Sequence, residues 1–137
     1  MRDIGQRGFT MLEVLITVTI LGILATFAVP RFANATTLAN TAKVASDLQT
    51  LDSAIAIYEM ERGARPLDLT DLADYVADVE SLKPPKGDCR LKTGETMTIS
   101  SDMVYSLGSK SSSDKSTAAH TRAYLGTHTA GDFGKGD

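Results

Sequence analysis

The run from Phe9 to Val29 constrains this chain most: 15 of its 21 residues are apolar, and Glu13 is its one ionisable side chain. As a helix rising 1.5 Å per residue it measures about 31 Å, which matches the roughly 30 Å hydrocarbon core of a bilayer. It is long enough to cross. Arg2 and Arg7 precede it, and Ala33-Asn34-Ala35 follows with the small-x-small pattern that a signal peptidase reads, so one reading is a Sec signal peptide.

The order of residues argues for a different kind of segment. A secretory h-region is typically about 7–15 residues long and uncharged, whereas this run is longer and carries Glu13 near its start. A carboxylate at mid-membrane costs on the order of 2.5–3.5 kcal/mol, which makes it a functional candidate whose partner should be named. The leader ends in Arg7-Gly8. Glycine can enter a protease site in an extended conformation without a side-chain clash, and cutting after Gly8 would create a charged α-amine on Phe9, four residues from Glu13.

Gly8-Phe9-Thr10-Met11-Leu12-Glu13-Val14-Leu15-Ile16, with Gly22 and Pro30 beyond, resembles the class III signal of type IV prepilins and of the pseudopilins of type II secretion and competence systems. The resemblance extends over about the first 60 residues. It implies an α+β, pilin-like fold: a long N-terminal helix, membrane-spanning in its first half, packed by its second half against a small antiparallel sheet. It also implies that a prepilin peptidase cuts between Gly8 and Phe9 and N-methylates Phe9, and that Glu13 then neutralises the α-amine of Phe9 in its own or a neighbouring subunit during assembly. An unpaired carboxylate in a helix bundle is costly, while a paired one fixes axial register. The alternative for Glu13 is a carboxylate that snorkels to the headgroups from the first helical turn, where the macrodipole favours negative charge.

Further implications are polymerisation with other pilins or pseudopilins and service by a cytoplasmic assembly ATPase and an inner-membrane platform protein. The expected location is a single-pass inner-membrane precursor with an extracytoplasmic head, and then a periplasmic or cell-surface filament. The competing class is a Sec-exported or membrane-anchored extracytoplasmic binding domain with no filament role. Relatives commonly close a C-terminal loop with a cysteine pair; here Cys89 is alone. That departure favours a pseudopilin or a minor subunit.

Helical periodicity continues through Val44, Leu48, Leu51, Ile55 and Tyr58 at steps of four and three, with Lys43, Asp47, Thr50 and Glu61 off the stripe and Gly63 as C-cap. The expected division is a leader over 1–8, a helix over 9–62 with 9–29 in the membrane, a head over 63–125 and a flexible tail over 126–137. Gly22 and Pro30 are the expected bend, since Pro30 has no N–H for the Thr26 carbonyl; Pro30 equally suits a boundary marker at the membrane surface. Residues 63–137 hold only 25 apolar residues, seven of them alanine. Such a head is too lean for a core of its own and should borrow the stripe.

Within the head, Leu69, Leu72, Val76 and Val79 predict a short helix capped by Asp68 or Thr70 and ended by Pro84-Pro85. Alternation at Met97 and Ile99, and again at Met103, Tyr105 and Leu107, predicts a hairpin turning at Ser100-Ser101-Asp102. Cys89 to Lys92 is an edge-strand candidate, Ser109 to Ser116 a surface loop, and Ala118 to Leu125 a last strand.

No chemistry of catalysis stands out. Nine basic against eleven acidic groups in the head leave no footprint for nucleic acid. Asp68, Asp71, Asp74 and Asp78 follow helical spacing and suit a solvated face, although calcium binds C-terminal loops of some relatives. Asp102, Asp114 and Asp132 are scattered loop acids, and His120 and His128 lack a paired cysteine for zinc. No metal and no cofactor are expected.

Overall fold

The computed structural model describes residues 8–109 and 121–136. One α-helix, α1, runs over Met11–Arg62, beginning two residues later than expected and ending at the expected place, where the Gly63 N–H donates to the Glu59 carbonyl at 3.0 Å. α1 passes through Gly22 and Pro30 without interruption. The chain separates into two compact units, Met1–Ala35 and Thr36–Asp137.

In the first unit, every described residue up to Phe27 is exposed, including Phe9, Leu15, Ile20 and Leu24. Threonines in this apolar stretch turn their hydroxyls inward to the helix, Thr17 to the Glu13 carbonyl and Thr19 to the Leu15 carbonyl, each at 2.7 Å. That satisfies them without water.

The second unit contains the core. Val44, Leu48, Leu51 and Ile55 are buried and Tyr58 is half-buried, so the predicted stripe is the floor on which the head packs. Onto it close Leu72, Val76, Val79, Cys89, Leu91, Ile99, Tyr105, Ala123, Leu125 and Phe133.

Two antiparallel hairpins form the head: β1 (Gly87–Arg90) with β2 (Thr96–Ile99), and β3 (Tyr105–Ser109) with β4 (Thr121–Leu125). The expected hairpin across Ser100-Ser101-Asp102 does not form. β2 instead pairs backward, because Gly94 at φ +90° supplies the left-handed residue of a tight turn between Leu91 and Glu95. Ser100 to Met103 makes only a turn, closed by the Met103 N–H to the Ser100 carbonyl at 3.3 Å. The candidate edge strand at Cys89 to Lys92 overlaps β1, and the last strand begins within the described residues at Thr121; most of the Ser109–Ser116 loop lies outside them.

Two further expectations are corrected. The predicted helix after Pro66 is two short 3-10 turns, Leu69–Leu72 and Val79–Ser81. Asp68 caps the first, while the Asp71 carboxylate reaches back to the Leu67 and Asp68 amides; these bonds hold Asp71 below the usual carboxylate range. Asp78 at φ +54° then breaks the helical path, so the four aspartates do not line one helix face. The stretch from Gly126, expected to be a flexible tail, is packed: Phe133 is buried and pairs with Leu91 in an antiparallel bridge. One large aromatic outweighs the glycine-rich composition that suggested mobility.

The helix also meets the strands through polar side chains. Asn40 donates to the Lys86 and Asp88 carbonyls at 3.2 and 3.1 Å, and Thr41 accepts the Arg90 N–H at 2.8 Å. Asp52 accepts the Ala123 N–H at 2.8 Å. Asp47, read from its spacing as off the packed stripe, accepts the Tyr105 hydroxyl.

Candidate functional site

The site is the first turn of α1. Thr10 is its N-cap: the Glu13 N–H donates to Thr10 Oγ1 at 3.2 Å, and the Thr10 N–H donates to Glu13 Oε2 at 3.0 Å. These two bonds form a capping box, in which a helix start satisfies two of its own orphan donors. The pattern Thr10-x-x-Glu13 ahead of an apolar run is its signature in the sequence, a signal that the charge of Glu13 alone does not reveal. The box orients the carboxylate toward the preceding backbone, on the side where Phe9 and Gly8 lead away.

Phe9 is 89% exposed and Met11 92%, so the bond between Gly8 and Phe9 is open to approach and a Cβ at Gly8 would meet nothing within 4 Å. Among the described residues no cation lies within ion-pair reach of Glu13. Among the described residues the carboxylate accepts one hydrogen bond, at Oε2 from the Thr10 N–H. Gly22 and Pro30, the expected bend, lie on exposed helix, and a Cβ at Gly22 would also meet open space.

Elsewhere the candidate groups disperse. No cluster of three or more His, Cys, Asp or Glu able to hold a metal occurs among the described residues. Asp114 and His120 lie outside them. His128 meets the Phe133 ring edge to face at 5.9 Å, and Asp132 accepts the Thr129 N–H in a local cap. Cys89 is fully buried and donates its thiol to the Met97 carbonyl at 3.4 Å; burial, and then Asp88, push its pKa up, which leaves it a poor nucleophile.

Residues 4–29 match the family described as "Prokaryotic N-terminal methylation motif". The chain carries a prokaryotic N-terminal methylation motif. It spans Gly8, Phe9, the Thr10–Glu13 capping box and Gly22, and ends one residue short of Pro30. The motif-bearing chain is similar to type II secretion system core protein G of Klebsiella michiganensis, 39% identical over 66 residues, or 48% of this chain and 46% of that protein. It is also 39% identical to the protein of that name in Vibrio cholerae serotype O1 over 61 residues, 44% of this chain and 42% of that one. Similarity to the type IV narrow pilus major component PilA5 of Thermus thermophilus is 40% over 60 residues, 44% of this chain and 52% of that one. The chain thus spans about half the length of the curated relatives it matches. No solved structure matches it.

Proposed function

We propose that this protein is a non-catalytic structural subunit of a filament, a type II secretion pseudopilus or a related type IV pilus, assembled from the inner membrane through α1. The observation that carries this reading is the uncovered apolar helix start: an exposed lipid-length segment whose single acid is held in place one turn from Phe9. Lipid covers such a segment before assembly, and neighbouring copies cover it afterwards, which removes the apolar surface from water in both states. The contacts between copies are head-to-tail, as an open polymer requires.

In this reading residues 1–8 are a leader, a prepilin peptidase cuts between Gly8 and Phe9, and Phe9 is then N-methylated. Methylation retains the positive charge of the amine, and Glu13 receives that amine from its own or a neighbouring chain. Gly22 and Pro30 supply the weakened stretch at which α1 bends when packed. An assembly ATPase and a platform protein in the inner membrane drive extraction, with the head on the extracytoplasmic side. The relatives named for type II secretion favour the pseudopilus.

Mass spectrometry of the mature N-terminus tests the proposal. A chain beginning at methylated Phe9 is expected; a chain beginning at Thr36, after Ala33-Asn34-Ala35, would replace this reading with that of a Sec-exported domain.

A further inference from the structure

The methionines among the described residues fall into two pairs. Met11 and Met60 are 92% and 85% exposed on α1. Met97 and Met103 are half-buried and pack against the core. Met97 belongs to β2, where it pairs with the buried Cys89 of β1. Met103 lies two residues ahead of β3, at the open end of the second hairpin.

These two side chains end at one place. A Cβ built on Gly126 would stand 3.5 Å from the terminal methyl of Met103 and 3.8 Å from that of Met97. Gly126 directly follows β4, so a thioether from the first hairpin and one from the approach to the second both reach the end of the second. The hairpins share no strand, and with one cysteine in the chain no intrachain disulfide can join them. Soft, unbranched side chains make the contact across this seam.

The sulfur that suits methionine to an irregular gap is also its oxidisable atom. Hydrogen peroxide transfers one oxygen to it in a two-electron step, leaving a sulfoxide and water. The sulfoxide is polar and accepts hydrogen bonds. On Met60 that oxygen stays in water, whereas at the seam it is pressed among apolar groups that offer it no donor.

We propose that Met97 and Met103 form an oxidation-sensitive joint: conversion of either to its sulfoxide by a peroxide-class oxidant loosens the first hairpin from the end of the second. Neither side chain is sealed from solvent, so the oxidant reaches the joint in the folded head. The inference stands whether or not the chain forms filaments.

Graded hydrogen peroxide on the full-length chain in detergent, read by peptide mass spectrometry and urea titration, tests the joint. Met60 should oxidise first and leave the urea midpoint unchanged. Met97 and Met103 should follow more slowly, and the midpoint should then fall by roughly 1 M, as for one poorly satisfied acceptor in a small domain. Hydrogen exchange of the Met103 amide, which donates to the Ser100 carbonyl, should accelerate severalfold more than that of the α1 amides around Leu48. Leucine nearly conserves the volume of methionine, so a Met97→Leu/Met103→Leu chain should fold and keep its midpoint in peroxide, while Met60→Leu should lose it as the wild type does. An unchanged midpoint in wild-type chains oxidised at both positions would overturn the joint without recourse to a variant. So would a fall that tracks oxidation of Met60 alone, an equal fall in the double variant, or resistance of both thioethers to peroxide that fully oxidises the urea-unfolded chain.

Discussion

Asp47 on α1 accepts the hydroxyl of Tyr105 on β3 at 2.8 Å, while Lys43 holds the same carboxylate from the helix side at 2.9 Å. Burial first, and then the bond to Asp47 and its charge, push the Tyr105 pKa up. In the unfolded chain Tyr105 titrates near 10, so the folded state binds the phenolic proton more tightly. The stabilisation is complete below about pH 10 and is lost as pH rises above it, with a slope of up to about 1.4 kcal/mol per pH unit. Tyr105→Phe should flatten that alkaline decline at a cost of about 1 kcal/mol near neutrality, read from urea midpoints across the alkaline range.

The core depends on the second half of α1. A chain of residues 36–137 contains the whole second unit and should unfold cooperatively in denaturant. One of residues 63–137 lacks Val44, Leu48, Leu51 and Ile55 and should show no cooperative transition by circular dichroism.

Leu48 is fully buried and Met60 is 85% exposed on the same helix. Leu48→Ala should cost about 2–5 kcal/mol through lost burial and a residual cavity, whereas Met60→Ala should stay within about 0.5 kcal/mol. Equal effects from denaturant titration would contradict the orientation of the stripe.

Glu13→Gln separates charge from capping. Its amide oxygen can still accept the Thr10 N–H, but it cannot neutralise an α-amine. If charge drives assembly, this variant should form no filaments when imaged in cells, while Thr10→Val, which loses only the side-chain half of the capping box, should retain filaments in reduced number. Wild-type assembly by Glu13→Gln would reduce Glu13 to a cap.

Periodicity made α1 and its buried stripe legible from residues alone, because Val44 to Tyr58 repeat at helical spacing over several turns and little else competes with that signal. The strands between Gly87 and Leu125 are short, and alternation located them without saying which pairs with which; that depended on Gly94 and on β4, far along the chain. Asp47 reads as lying off the packed stripe because a helix wheel cannot show that a strand supplies a hydroxyl beside it, and nothing in the spacing singles out Asp52 as the acceptor of a strand amide. Phe133 was hidden by its glycine-rich neighbours. The first turn was half legible: Glu13 stood out as a charge in an apolar run, and its partner Thr10 did not, since threonine in such a run is unremarkable until its spacing to glutamate is noticed.

Asn40, Thr41, Asp47 and Asp52 give the two hairpins a mechanical connection to α1 besides the covalent one at Gly63. A pull along the helix axis reaches β1, β3 and β4 side by side, each loaded through its own anchor, so the strain is divided before any one bond must bear it. The head travels with the helix as cargo lashed at several points, not as a weight trailing from one end of a cord.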